Sequence, residues 1–175
     1  MTDTAVDPTA DPAPFTVRDA TRHDVPDLIR LVRDLALYEK EPAAATATEE
    51  QFAAALLPDD GHPAAHALVA ERDGRVVGMA IWFTSFSTWT GRHGLWLEDL
   101  FVEPEQRGLG IGKALLVRLA AICVERDWTR FEWWVLDWNT PSIEFYRSQG
   151  AVAQDGWTTY RVDGEALTTL ARSSG

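Results

Sequence analysis

The stretch Leu97-Glu98-Asp99-Leu100-Phe101-Val102-Glu103-Pro104-Glu105-Gln106-Arg107-Gly108-Leu109-Gly110-Ile111-Gly112-Lys113 restricts the fold of this chain more than any other. A strand pattern runs to Val102 and Pro104 stops it. Gly108, Gly110 and Gly112, at alternate positions, then lead into a helical repeat of Ile111, Leu115, Leu119 and Ile122. Such a turn aims several unblocked backbone N–H groups at one spot, with the positive end of the helix dipole behind them. That spot suits a pyrophosphate, because a Cβ on the glycines would hold phosphate oxygens off the amides. The spelling is neither the dinucleotide fingerprint G-x-G-x-x-G nor a P-loop, since Ala114 follows Gly112-Lys113 where a P-loop has Ser or Thr. Read alone, the loop also fits a purely structural tight turn.

The rest of the chain supplies elements on both sides of this turn. Residues 1–13 are rich in Asp, Thr, Ala and Pro and are expected to form a disordered tail. Residues 14–175 are expected to form one domain. Phe15 to Arg18 alternates as a strand. Thr21 and Asp24 make a capping-box-like start, and Val25, Leu28, Val32 and Leu35 then form one apolar helical stripe to about Tyr38. Thr48 and Gln51 cap a second, short helix. Asp73-Gly74 joins two strands as a hairpin, and Leu95 to Val102 continues as another. Further strands are expected at Arg130 to Leu136 and around Trp157 to Val162, with a helix from about Thr140 to Gln149 between them. The order β-α-α-β-β-β-α-β-α-β describes an α/β layer structure.

Charge and composition narrow the partners. A net charge of −11 argues against nucleic acid or an anionic membrane surface, both of which need a basic face. The single cysteine, Cys123, rules out an internal disulfide and reads as a core residue. His23, His62, His66 and His93 have no metal-site spacing, so no metal is expected. No apolar run is long enough to span a bilayer and no secretory signal is apparent, so a cytoplasmic location is expected.

The loop Arg107-x-x-Gly110-x-Gly112 after Leu97-Glu98-Asp99-Leu100-Phe101-Val102 resembles the acetyl-CoA pyrophosphate loop of the Gcn5-related N-acetyltransferase (GNAT) superfamily. Leu35 to Lys40, Phe86 to Arg92, Leu95 to Asp99, Val135 to Asn139 and Phe145 to Gly150 stand in the order of its diamine acetyltransferase branch, a resemblance covering roughly residues 15–170. The resemblance implies a mixed central sheet of about six to seven strands flanked by helices, acetyl-CoA as co-substrate and a homodimer. Cofactor contacts are implied at Leu100, Phe101, Val102, Arg107, Gly108, Leu109, Gly110, Ile111, Gly112, Lys113, Asn139, Ser142 and Tyr146.

Acetyl transfer to an amine needs a base to supply the neutral nucleophile, a fixed donor for the developing oxyanion and a proton for the departing thiolate. Glu98, acting through water, is the candidate base. The oxyanion donor is implied to be a backbone N–H around Leu100 or Phe101, and Tyr146 the acid. Adjacent acids on a strand face opposite ways unless a bulge intervenes, so Glu98 and Asp99 also fit a surface charge pair. For a cationic acceptor, carboxylates and ring faces are the fitting groups. Resemblance places them at Tyr38, Glu39, Trp89, Glu98, Asp99, Glu132, Trp133, Trp134 and Asp155. Gln154-Asp155 stands where some polyamine enzymes carry two glutamates, which weighs against long polyamines. The expected acceptor is a diamine, a polyamine or a lysine-like amino acid. An antibiotic or other amine metabolite, or a CoA-binding domain without turnover, are the alternatives.

Overall fold

In the computed structural model, which describes residues 15–173, the elements run β1 (Thr16–Asp19), α1 (Val25–Tyr38), α2 (Glu49–Leu56), β2 (His66–Arg72), β3 (Arg75–Ser87), β4 (Arg92–Val102), α3 (Ile111–Glu125), β5 (Phe131–Trp133), α4 (Thr140–Ser148) and α5 (Gly164–Arg172). The expected tail, residues 1–13, lies outside the described residues. The chain divides into two units, one ending at Trp134 and one starting at Val135.

The first unit is built on one mixed sheet in the order β1-β2-β3-β4-β5. Asp73 and Gly74 take φ of 53° and 74°, the paired positive values of a two-residue hairpin turn, and Arg72 faces Arg75 across it. β1 to β4 pair antiparallel in sequence, and β5 joins β4 in parallel. Alternation then sorts the side chains. Ala67, Val69, Met79, Ile81 and Phe101 gather in one cluster with Leu28 and Leu31 of α1 and Leu56 of α2. α3 meets the sheet at Gly78, where an added Cβ would lie 3.3 Å from the Ile111 side chain. Ile111, Leu115, Leu119 and Ile122 are all buried, as their spacing requires, and Cys123 is buried beside them. In α1 the stripe is wider than expected, with Ile29 and Leu31 buried and Val32 and Leu35 only partly so.

Both expected caps form. Asp24 accepts from the Thr21 backbone and hydroxyl at 2.7 and 2.8 Å, and Thr48 and Gln51 exchange hydrogen bonds at 2.9 and 3.3 Å.

Among the described residues the sheet has five strands, fewer than the six to seven expected. β5 stops at Trp133 rather than Leu136, and the backbone turns beyond Leu136, where Asn139 N–H donates to the Leu136 carbonyl and Thr140 N–H to that of Trp138. Residues 157–162 form no strand, and Trp157 and Tyr160 are 78% and 91% exposed. Their β-forming side chains report a fit to a half-buried pleated surface, and a strand forms only where a partner pairs its backbone. The second unit, described by itself, holds α4 and α5 and no strand among its described residues.

Candidate active site

Glu98 sits on a β-bulge. Along β3 and β4, Ile81 faces Asp99 and the next residue, Trp82, faces Leu97, so Glu98 has no partner across the ladder. A bulge re-aims the extra side chain and is a recurrent feature beside active sites. It resolves the problem of two adjacent acids on one strand. Glu98 is exposed and Asp99 half-buried. Burial, together with the charges of Glu98 and then Glu39, pushes the Asp99 carboxyl up to about 6. Burial raises Glu39 as well. Three carboxylates from the end of α1 and the middle of β4 therefore share one field. Like charges held together in this way favour a cation among them.

Aromatic rings stand beside these acids. The Trp96 indole N–H donates to Glu98 Oε2 at 3.1 Å, and its ring meets Trp134 edge-to-face at 4.9 Å and Phe83 at 6.3 Å. Trp96 was not singled out by the sequence reading. Its position two residues before Glu98 on a strand, which puts both on one face, is the signal that could have found it. Trp133 packs against Phe131 at 4.9 Å, and Glu132 pairs at 3.4 Å with Arg130, the residue before β5, so part of its charge is already answered. Trp89 lies in the turn between β3 and β4 and is 88% exposed. Tyr38 has a different neighbour: the Arg107 guanidinium lies 5.0 Å from its ring centroid and 5.6 Å from that of Phe101.

β5 accompanies β4 only from Leu95 to Leu97. From Glu98 to Val102 the edge of β4 away from β3 has no ladder partner among the described residues. Alternate N–H groups of that stretch, which includes Leu100, Phe101 and Val102, point to that edge. The loop after it is firmly anchored. Glu103 is buried, and both Arg30 and Arg75 donate to its carboxylate. Arg107 Nε donates to the Val102 carbonyl at 3.1 Å. Gly108 and Gly110 take φ of 82° and 84°, a left-handed backbone that a side chain resists. Gly110 caps α3, and no acidic residue stands in the first turn, where Ile111, Gly112 and Lys113 present their amides. Leu109 is exposed.

In the second unit Asn139 is buried and caps α4, its side-chain oxygen accepting from the Ser142 N–H at 3.4 Å. The spacing that suggested a cofactor contact thus also serves the helix. Tyr146 is half-buried with its ring 5.4 Å from Phe145, and Asp155 is exposed. Among the described residues no group of three or more His, Cys, Asp or Glu could hold a metal, and no helix is long and apolar enough to cross a membrane.

The acetyltransferase (GNAT) family model matches residues 28–151. The chain belongs to that family, and it is an acetyltransferase. Thialysine N-epsilon-acetyltransferase of Sus scrofa is 34% identical over 173 residues, covering 91% of this chain and 98% of that one. The protein of the same description from Caenorhabditis elegans is 31% identical over 160 residues, covering 90% and 97%. Among solved structures, an integron cassette protein from V. cholerae superposes with a TM-score of 0.75 at 26% identity, over 91% of this chain and 99% of that chain.

Proposed function

We propose that this protein transfers the acetyl group of acetyl-CoA directly to a primary amine of a small cationic acceptor, within a ternary complex. The observation that carries the reading is the bulge at Glu98, which sets an exposed carboxylate against the Trp96 indole and beside Asp99, a group that also feels the charge of Glu39. The pyrophosphate would lie on the amides from Gly108 to Lys113, with Arg107 beside them. In the first unit the left-handed glycines and the acid-free first turn of α3 support that placement.

In this mechanism Glu98, through a water, removes a proton from the acceptor ammonium. The freed nitrogen lone pair attacks the thioester carbonyl carbon, and the carbonyl π electrons move to oxygen, which accepts a hydrogen bond from an N–H around Leu100 or Phe101. The C–S bond then breaks. The oxyanion electrons re-form the carbonyl, the bonding pair leaves on sulfur, and the Tyr146 hydroxyl protonates that thiolate; the surplus proton of the attacking nitrogen passes through solvent to the tyrosinate, and the amide and free CoA leave. Asn139 and Ser142 are assigned to the cofactor, Tyr146 to its sulfur. The ammonium groups of the acceptor are assigned to Tyr38, Glu39, Trp89, Asp99, Glu132, Trp133, Trp134 and Asp155. Lysine-like amino acids fit best, a choice supported by the thialysine acetyltransferases among the relatives.

We take the acting form to be a homodimer. Exposed Val152, Trp157, Tyr160, Leu167 and Leu170 in the second unit support that.

The test is a panel of amines with acetyl-CoA, read as release of free thiol. Thialysine, lysine, ornithine and diamines should be acetylated faster than neutral monoamines of equal length. Equal rates on both would overturn the acceptor class, and no thiol release with any amine would overturn the reaction.

A further inference from the structure

We propose that Trp96 is a positioning residue for Glu98, its indole N–H fixing the carboxylate in the orientation from which it takes the acceptor's proton. The inference rests on the reading of Glu98 as the base.

Glu98 is poorly held by its own strand. The bulge leaves it without a cross-strand neighbour on β3, and its side chain is exposed, so a glutamate there would otherwise wander among many rotamers. Trp96 is held far better. Its backbone lies in the sheet between β3 and β5, opposite Phe83 on one side and Glu132 on the other. Its ring is braced edge-to-face by Trp134 at 4.9 Å, with an interplanar angle of 82°. The hydrogen bond of 3.1 Å therefore ties an exposed acceptor to a braced donor.

The chemistry of the donor suits the task. An indole N–H only donates and does not titrate in the working range, so it neither takes the proton that Glu98 must accept nor changes with pH. It engages Oε2 and leaves Oε1 for the water that relays the proton. Misplacing a reacting group by about an ångström can cost about 100-fold in rate, so an orienting bond far weaker than that still registers in kcat.

A double-mutant cycle separates positioning from packing. Trp96→Phe keeps a ring against Trp134 and removes the donor. It should lower kcat by about 10- to 100-fold, in line with a hydrogen bond to a charged group, with the KM for acetyl-CoA and the melting temperature unchanged. In the Glu98→Gln background the same substitution should cost less than about twofold, because the group being positioned no longer accepts a proton. Should Trp96→Phe fold poorly, Phe83→Leu carries the same test by removing the ring that lies 6.3 Å from Trp96: kcat falls in the native background and not in Glu98→Gln. Equal losses in both backgrounds, or no loss in the native one, would overturn the positioning role. A slow Glu98→Gln with a fully active Trp96→Phe removes this inference alone. A fully active Glu98→Gln removes the base assignment, and the inference with it.

Discussion

Glu39, the residue that follows α1, lies close enough to Asp99 on β4 for its charge to raise the Asp99 carboxyl, which burial and Glu98 already push up to about 6. The folded state therefore holds a proton on Asp99 at pH values where the unfolded chain, with an ordinary value of 3.8, has lost it. The sign follows from linkage: this group's contribution is fully present below 3.8 and is lost as pH rises to about 6. Asp99→Asn should flatten the decline in stability across that window, a difference on the order of 1–3 kcal/mol, followed by urea titration at several pH values. Glu39→Gln should move the window down, because it removes a like charge. An unaltered window in both variants would show that Asp99 does not titrate there.

Asp24 gives the opposite slope. Hydrogen bonds from Arg18, at 2.7 and 2.8 Å, and from Thr21 hold its carboxyl at about 2, against an ordinary 3.8. Its stabilisation is present above 3.8 and is lost as pH falls toward 2. Asp24→Asn should cost about 2 kcal/mol at neutral pH and make acid unfolding less steep between those limits, as followed by circular dichroism.

Glu103 is the buried acid shared by Arg30 and Arg75, at the point where β4 gives way to the glycine loop. Glu103→Gln leaves two guanidinium groups with a weaker acceptor. The expected loss is about 2–4 kcal/mol, measured by denaturant unfolding. Acetyl-CoA should also raise the melting temperature less than in the native protein, since the loop anchor is loosened.

At Gly110 an added Cβ would meet no protein atom within 4 Å, yet φ is 84°. A side chain there costs about 1–2 kcal/mol through the left-handed backbone rather than through a clash. Gly110→Val should therefore fold with a slightly lowered melting temperature and lose the stabilisation that saturating acetyl-CoA gives the native protein. A full acetyl-CoA shift in that variant would mean that the pyrophosphate lies elsewhere.

Apolar runs on either side of Asp73-Gly74 were enough to place β2 and β3, which are buried on both faces over much of their length, and a period of 3.6 was enough to place α1 and α3. The turn at Asp73-Gly74 and the cap at Thr48 were legible because particular backbone angles and a particular side-chain oxygen are needed there. The strand at Trp157 to Val162 was misread for the converse reason: its residues favour a pleated surface, but pairing depends on a partner that sequence does not reveal. Within the candidate site, Glu98 was legible as a residue and the bulge beneath it was not, since register is a property of two strands. The hydrogen bond from Trp96 to Glu98 was not legible, because an aromatic in a strand ordinarily reads as packing.

Base and acid are assigned to separate residues, and pH–rate profiles of Glu98→Gln and Tyr146→Phe with one diamine and saturating acetyl-CoA test that separation most directly. Each substitution should lower kcat at neutral pH by about 10²- to 10⁴-fold, the usual worth of a positioned acid or base. Raising the pH toward that of the free amine should restore much of the rate of Glu98→Gln, because solvent then supplies the neutral nucleophile. It should leave Tyr146→Phe slow, because the thiolate still lacks its proton donor. Rescue of both variants alike, rescue of neither, or full activity in either at neutral pH would contradict the assignment.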